Sequence, residues 1–365
     1  MKNYCFIKLA FILLLFASSC KKGDSPPPGN SGCIVELITV TGNIDVATTW
    51  DACHIYHVTN QLLINAPLTI EAGTIIKMDA AASITVYNPD GKITAVGTAD
   101  KQIVFTSWKD DTNGGDNNGD ANASSPQAGD WTNISLANHS DNKFSYCKIL
   151  YAGGSQTPYY AVAVQMGYGE NNELTHSTIA HNFGAIDHSS GTINMSASPA
   201  TTIFNNNTFF DNFRPFAISN IINIDNSNTF HNPNNAAEIN VCNGIFVVVA
   251  NTSDIPNITY AETEVPYVFA AESSYTIPLS VTLTLADNVV IKMGNSFTLV
   301  LYNESQLINH AGSGVVFTSY KDDSVLGDTN GDGNTSSPAV GDWKGIWDAP
   351  NGVYFKWGNI FYASN

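Results

Sequence analysis

Ser177-Thr-Ile-Ala-His-Asn182 returns in altered form as Asn207-Thr-Phe-Phe-Asp-Asn212, and again as Asn228-Thr-Phe-His-Asn232. Each phrase has a small polar residue, an apolar pair or triplet, and a closing Asn. They recur at a spacing of roughly 20–30 residues, within the range of solenoid repeats. One such unit is expected to form one coil of chain. Coils would stack at strand spacing, about 4.8 Å. An Asn at a tight turn would then hydrogen-bond its copy in the next coil, as amide rows do in cross-β structure. An antiparallel β-sandwich with Asn-rich turns is the competing reading, but it has no need for Asn locked to a period.

On either side of these phrases lies a duplication. Phe105–Trp131 reads FTSWKDDTNGGDNNGDANASSPQAGDW, and Phe317–Trp343 reads FTSYKDDSVLGDTNGDGNTSSPAVGDW. They align without a gap and are about two-thirds identical, which chance does not produce over such a span. Upstream, TIEAGTIIKM ending at Met78 matches TLADNVVIKM ending at Met293. Downstream, Phe144, Tyr146, Ile149, Tyr151 and Ala152 match Phe355, Trp357, Ile360, Tyr362 and Ala363. The reading is one module over 33–241 and a shortened one over 242–365, stacked on the first. Leu68-x-Ile70, Ile84-x-Val86 and Val281-x-Leu283-x-Leu285 are short alternating runs bounded by Gly, Asn, Asp and Pro, so strands are expected and helix should be scarce.

These phrases together resemble the right-handed β-helix lipoproteins of Bacteroidetes-type bacteria, distant fold relatives of pectate lyases. The resemblance covers nearly all of the chain beyond its N-terminus. It implies an all-β fold: a right-handed parallel β-helix with a duplicated coil module, long polar loops and an apolar interior. It is specific for fold and weak for activity.

The N-terminus reads as a targeting segment. Lys2 and Lys8 are followed by the apolar run Leu9–Phe16 and then Ala-Ser-Ser-Cys20. The run is too short to span a bilayer, so a signal peptide over 1–19 is expected. Small residues before Cys20 resemble a bacterial lipobox, although Ala17 stands where Leu is usual. That resemblance implies diacylation of Cys20, a membrane anchor, and a place on the outer membrane or cell surface. A plain secretory signal with a chance Cys is the alternative. Residues 20–32, rich in Pro, Gly and Ser, read as a solvated tether.

The chain carries 15 Lys+Arg against 32 Asp+Glu, a formal net charge of −17. Loss of residues 1–19 would make it more negative still. Such a surface repels polyphosphate, so nucleic acid is not expected as a partner. Arg214 is the sole arginine, which excludes a multi-arginine clamp for phosphate or uronate. Cys33 and Cys53 are close in sequence and form the expected disulfide of an exported protein. With no C-x-x-C spacing among the cysteines, a zinc site is not expected.

Two loops inside the duplication hold the strongest local chemistry. Asp116, Asn118 and Asp120, and likewise Asp328, Asn330 and Asp332, share the spacing D-x-N-x-D. Hard oxygen donors at that spacing suit Ca²⁺ in a structural role. Neither loop is a complete EF-hand, because Gln127 and Ala339 occupy the twelfth position. Asp110, Asp111 and Asp130, with Asp322, Asp323 and Asp342, are the available further ligands. A solvated Asn/Asp/Gly excursion is the plainer reading. Trp131 and Trp343 are expected to pack each loop's return onto the body. Tyr159, Tyr160, Tyr168, Trp347 and Trp357 are candidates for stacking on sugars.

For catalysis, the middle coils hold His176, His181, Asp187, His188, Asp211, Arg214, Asp225 and His231. Asp211 with Arg214, and Asp187 with His188, are the candidates for a lyase or hydrolase. They match neither the acid pairs of β-helix pectin hydrolases nor the basic cluster of pectate lyases. The expectation is therefore a surface scaffold with a structural or binding role toward glycans or a host surface. A polysaccharide lyase or glycoside hydrolase using the middle coils is the alternative, and it rests on fold analogy.

Overall fold

Alternation of side chains decides the strands. In Ile75–Met78, Ile76 and Met78 are buried in the interior while Lys77 leaves from the opposite side of the strand. The same pattern recurs in Leu283–Leu285, where Leu283 and Leu285 are buried and Thr284 is half-buried. The computed structural model describes residues 35–136, 141–154, 162–166, 172–183, 193–195, 202–249, 255–270 and 273–364. The expected signal peptide over 1–19, Cys20, the expected tether over 20–32 and Cys33 lie outside the described residues, as do Tyr159, Tyr160, Tyr168, Asp187 and His188.

The strands stack into long parallel ladders. A seven-stranded sheet runs from Glu36–Val40 to Thr208–Phe210, and a six-stranded sheet from Thr48–Trp50 to Ile203–Asn205. A ten-stranded sheet runs from Gln61–Ile64 to Val316–Ser319. Successive strands of one ladder belong to successive coils: Ile134 pairs with Ile84 on one side and Val164 on the other, always in parallel. The fold is a parallel β-helix. Antiparallel pairing occurs among the described residues only in two short excursions, His231–Asn232 with Asn235–Ile239 and Gly345–Asp348 with Val353–Tyr354. No helix among the described residues is long and apolar enough to cross a membrane.

The ten-stranded sheet passes without interruption across residue 242. Phe216–Ser219 pairs with Ile245–Val248, which pairs with Tyr267–Phe269. The two copies do not sit identically on the axis. Ile75–Met78 and Ile103–Ser107 lie in the seven-stranded sheet, but their counterparts Val290–Met293 and Val316–Ser319 lie in the ten-stranded one. The second copy is thus turned by one face of the prism, and its acidic loop leaves from a different face.

Inside, aliphatic side chains and ring stacks fill the prism. Phe204 stacks on Phe216 at 4.2 Å, Phe209 on Phe230 at 5.4 Å, and Tyr260 on Tyr267 at 4.0 Å between ring centroids. At the corners the closing Asn182 and Asn212 of the first two phrases stack as expected, but Asn240, not the closing Asn232 of the third phrase, continues the row, because Asn232 leaves into the antiparallel excursion. Asn182 donates from Nδ2 to Asn212 Oδ1 at 3.0 Å, and Asn212 donates to Asn240 Oδ1 at 2.8 Å. A second row runs from Asn207 to Asn228, and a third from Asn142 to Asn172. All are buried rather than solvated. Each also accepts a backbone N–H from the preceding coil, as Asn212 Oδ1 does from Asn182 N at 3.1 Å.

Asn212→Ala would leave the Asn182 amide and backbone N–H, the Ile179 carbonyl and the Asn240 Oδ1 short of partners. At roughly 1–3 kcal/mol for each buried group left unsatisfied, with partial relaxation, a loss of about 3 kcal/mol is expected. The exposed control Asn60→Ala should stay within about 0.5 kcal/mol. Urea midpoints of the two variants check this, and equal midpoints would remove the buried amide row from the account of stability.

Candidate functional site

Each acidic loop is built on a strand end that stores its donors. In the first, Thr106 Oγ1 donates to Asp110 Oδ2 at 2.5 Å, and Ser107 donates to Asp130 at 2.7 Å. Lys109 bridges to the other oxygen of Asp130 at 2.8 Å. The second loop repeats this with Thr318 on Asp322, Ser319 on Asp342 and Lys321 on Asp342. Although burial opposes it, hydrogen bonds from Thr106, Thr112 and Asn113 hold the Asp110 carboxyl below its ordinary value. Asp110 and Asp130, with Asp322 and Asp342, are therefore staples at the loop necks, engaged by protein donors rather than turned toward an ion.

The carboxylates at the loop tips behave differently. Asp111, Asp116 and Asp120 bring one oxygen each to within 4.8 Å of one another, and Asp323, Asp328 and Asp332 do the same. The structure thus adds Asp111 and Asp323 to the two D-x-N-x-D sets. Asn118 and Asn330 each donate to the last Asp of their own set, at 3.0 Å and 2.9 Å. Asp116 accepts from the backbone of Gly119, and Asp328 from that of Gly331. Asp111 and Asp323 each keep one buried oxygen with no hydrogen-bond partner. Desolvation, with Asp116 beside one and Asp328 beside the other, holds both carboxyls above the usual range. The Ser124 and Ser336 hydroxyls hold Asp120 and Asp332 below it.

Under each loop sits a buried lysine that sequence reading passed over. Lys77 is wholly buried and donates to the carbonyls of Asp110 at 2.9 Å and Gly115 at 2.7 Å. Lys292 is its counterpart and donates to the Gly327 carbonyl at 2.6 Å. Burial lowers Lys77 and pushes Lys292 down to about 8, while the surrounding aspartates pull the other way. The strand pattern showed both lysines pointing outward, which reads as solvent-facing. Nothing in the local pattern says that the loop folds back over them. Trp131 and Trp343 are fully buried, with ring N–H groups on the carbonyls of Leu150 and Phe361. They pack each loop's return and offer no face to a sugar. Trp357 is covered in part by His310 and Phe355, and Trp347 packs edge-on to Tyr354.

The middle coils do not bring Asp211 to Arg214. Arg214 is buried over the Phe246 ring at 4.9 Å and hydrogen-bonds the Cys242 thiol. Asp211 instead lies 2.6 Å from His181 Nδ1, one coil away. The two line a cleft of about 460 Å³ with Tyr151, Phe183, Phe213 and Gln127. His231 pairs with Glu264 at 2.6 Å, and His176 stacks on Tyr146. Asp225 accepts from Ser227 in an exposed turn. Cys53 is disulfide-bonded, and Cys33, its expected partner, lies outside the described residues. Glu262 was not singled out by its sequence. It is buried, one of its oxygens lacks a partner, and burial pushes its carboxyl up to about 7.

Comparison with known proteins agrees with this architecture. Residues 42–125 match the family described as a pectate-lyase-like beta helix domain. That span covers the first coils and most of the first acidic loop. No curated protein and no solved structure matches the chain.

Lys77→Met keeps the volume and removes the ammonium that ties the loop neck to the strand. Loss of these charge-assisted bonds is expected to cost about 2–3 kcal/mol. It should also speed proteolysis within 112–125, read by mass spectrometry of early cleavage products. Glu262 gives a separate pH signature. Its folded-state carboxyl holds a proton that the unfolded chain has released above about 4.5. Stability from this group is therefore fully present below about 4.5 and is lost as pH rises through about 7. Glu262→Gln should flatten that slope, worth about 3 kcal/mol, in denaturation midpoints across pH 4–8.

Proposed function

We propose that this chain is an exported, lipid-anchored cell-surface protein. Its β-helix acts as a rigid binding scaffold, held in shape by calcium in the two acidic loops. The observation that carries the calcium assignment is the duplicated three-carboxylate cluster. Asp111, Asp116 and Asp120, and Asp323, Asp328 and Asp332, converge in the same way in loops whose intervening residues differ. Asp111 and Asp116 lie near the buried Lys77 ammonium, and Asp323 and Asp328 near that of Lys292, so the carboxylates of each cluster are in excess of the one ammonium beneath them. A divalent cation neutralises that excess, and all-oxygen donors favour Ca²⁺ over softer metals. The unpartnered oxygens of Asp111 and Asp323 would be ligands, and the ion would pin each loop to its face.

Anchoring through Cys20, export through residues 1–19 and a reach through the tether 20–32 fit a scaffold displayed outside the cell. Parallel β-helices present extended faces suited to long polymers, so the ligand class we favour is a neutral glycan or a host-surface glycoconjugate. The acidic surface disfavours nucleic acid and uronate chains. Cleavage of a polysaccharide is the second reading, favoured by one observation: the His181–Asp211 pair lies in a cleft beside Tyr151.

Two measurements on the full chain in detergent test the proposal. Calcium at about a hundredfold its dissociation constant should add about 2.7 kcal/mol for each loop. Asp116→Asn and Asp328→Asn should each remove about half of the calcium-dependent rise in melting temperature. A melting temperature indifferent to chelator would end the calcium assignment. A glycan array, run with and without chelator, tests the scaffold reading. Reproducible product release from any polysaccharide would replace that reading with the enzyme.

A further inference from the structure

Five histidines among the described residues pair with a carboxylate: His54, His57, His181, His231 and His310. One of these pairs has a third ligand. His181, Asp211 and Glu238 each bring a donor atom to within 4.8 Å of the other two. Glu238 comes from the antiparallel excursion Asn235–Ile239, which reaches the corner because Asp211 N donates to the Ile239 carbonyl at 3.2 Å. The excursion is what completes the set, since the stacked coils alone supply only His181 and Asp211.

The corner holds these groups in place. His181 and Asp211 have φ of +59° and +49°, in line with Tyr151 at +63° in the coil before. Side chains other than Gly, Asn or Asp cost about 1 kcal/mol or more in this left-handed region. Tyr151 stacks on the His181 ring at 5.4 Å, and Phe210 meets that ring edge-on at 5.4 Å. Asn232 donates to Glu238 Oε2 at 2.7 Å and orients the carboxylate. Partners of this kind fix metal ligands in known sites. The cleft of about 460 Å³ opens at His181 and Asp211, so coordination positions beyond the three protein donors face solvent.

We propose that His181, Asp211 and Glu238 form a binding site for a zinc-type divalent metal ion, with open positions directed into the cleft. The chemistry selects this class. Calcium and magnesium take all-oxygen sets, whereas one imidazole with two carboxylates suits zinc and its neighbours. Zinc ligands lie about 2.1 Å from the ion and therefore within about 4.2 Å of one another. The three donor atoms lie within 4.8 Å of one another, and small side-chain rotations would set them at that spacing, with His181 Nδ1 and Asp211 moving apart from their 2.6 Å contact to admit the ion. The site shares no ligand with the acidic loops and does not depend on calcium binding there.

The test uses the full chain in detergent, stripped with chelator and then saturated with Ca²⁺, so that the acidic loops are filled. Titration calorimetry with Zn²⁺ should show one site. His181→Asn and Asp211→Asn keep residues that tolerate positive φ, and Glu238→Gln changes only the excursion. Each should weaken Zn²⁺ binding at least about tenfold, with circular dichroism of the metal-free proteins unchanged. Co²⁺ as a probe should give visible bands that His181→Asn abolishes. The control His54→Asn, in a His–carboxylate pair outside the excursion, should bind Zn²⁺ as the parent does. Absence of Zn²⁺ binding in the parent overturns the proposal. So does binding that survives all three ligand changes, or that is lost in the His54 control.

Discussion

The hydrogen bond from one buried Asn to the same Asn one coil later is the constraint on which this structure depends. In a parallel ladder each strand's backbone is satisfied by its neighbours, but at a corner the chain turns and its N–H groups lose their strand partners. Asn212 Oδ1 takes the backbone N–H of Asn182, and Asn240 Oδ1 takes that of Asn212. The amide then ties itself to the next amide in the row, so each coil is held at one vertical register. A slip of one residue would turn every inward Ile, Val and Phe toward solvent. The rows exclude it because the slipped amide would leave buried donors unpaired.

Register fixed at the corners has a consequence for the loops. Each acidic loop leaves the prism and must return to the next coil, and it does so over a lysine whose stem already lies on the face. A buried ammonium is costly unless its donors are satisfied. Lys77 meets this with two carbonyls of the loop neck, and the aspartates around it favour the charged form. The neck bonds of Thr106, Ser107 and Lys109 hold the returning chain so that Trp131 reaches the interior. Loop and prism are therefore one packed unit. The second copy repeats the arrangement from another face because it is turned by one sheet about the axis.

Much of this was legible in the sequence, and the division has a physical basis. Residues that stack on their own copies must be alike, so the Asn-ended phrases announced the coil and the Asn182–Asn212 step of its amide row, but not that Asn240 in place of Asn232 continues it. The D-x-N-x-D spacing placed Asp116 with Asp120 and Asp328 with Asp332, because five residues of local chain suffice to bring them together. Asp111 and Asp323 were only two among several neighbouring acids. Which of those would be drawn off to Thr, Ser and Lys at the neck depends on the three-dimensional path. Lys77 and Lys292 look like ordinary outward residues until the loop closes over them. Glu238 meets His181 and Asp211 through a hairpin whose direction no periodicity encodes. The turn of the second copy about the axis is invisible in an alignment, since aligned strands keep their neighbours while changing sheets.

The same logic separates where the fold is specified from where chemistry can accumulate. A position inside the stack is bound to its copies above and below, and exchanging one Asn of the row breaks bonds in two coils. A position on the outer corner carries no such tie. The column Tyr151, His181 and Asp211 shares a backbone conformation but not a side chain, and so does the column Tyr146, His176 and Asn206. Among these six, Asn206 and Asp211 take that conformation at the least cost. Retaining Tyr and His at the other positions means that the ladder overcomes local strain there, which a buried amide row bonded on both sides is able to do. The corner thereby holds three unlike, oriented side chains at coil spacing on a rigid edge, beside a cleft. A solenoid that repeats for stability can hold such a constellation while its interior stays the same from coil to coil.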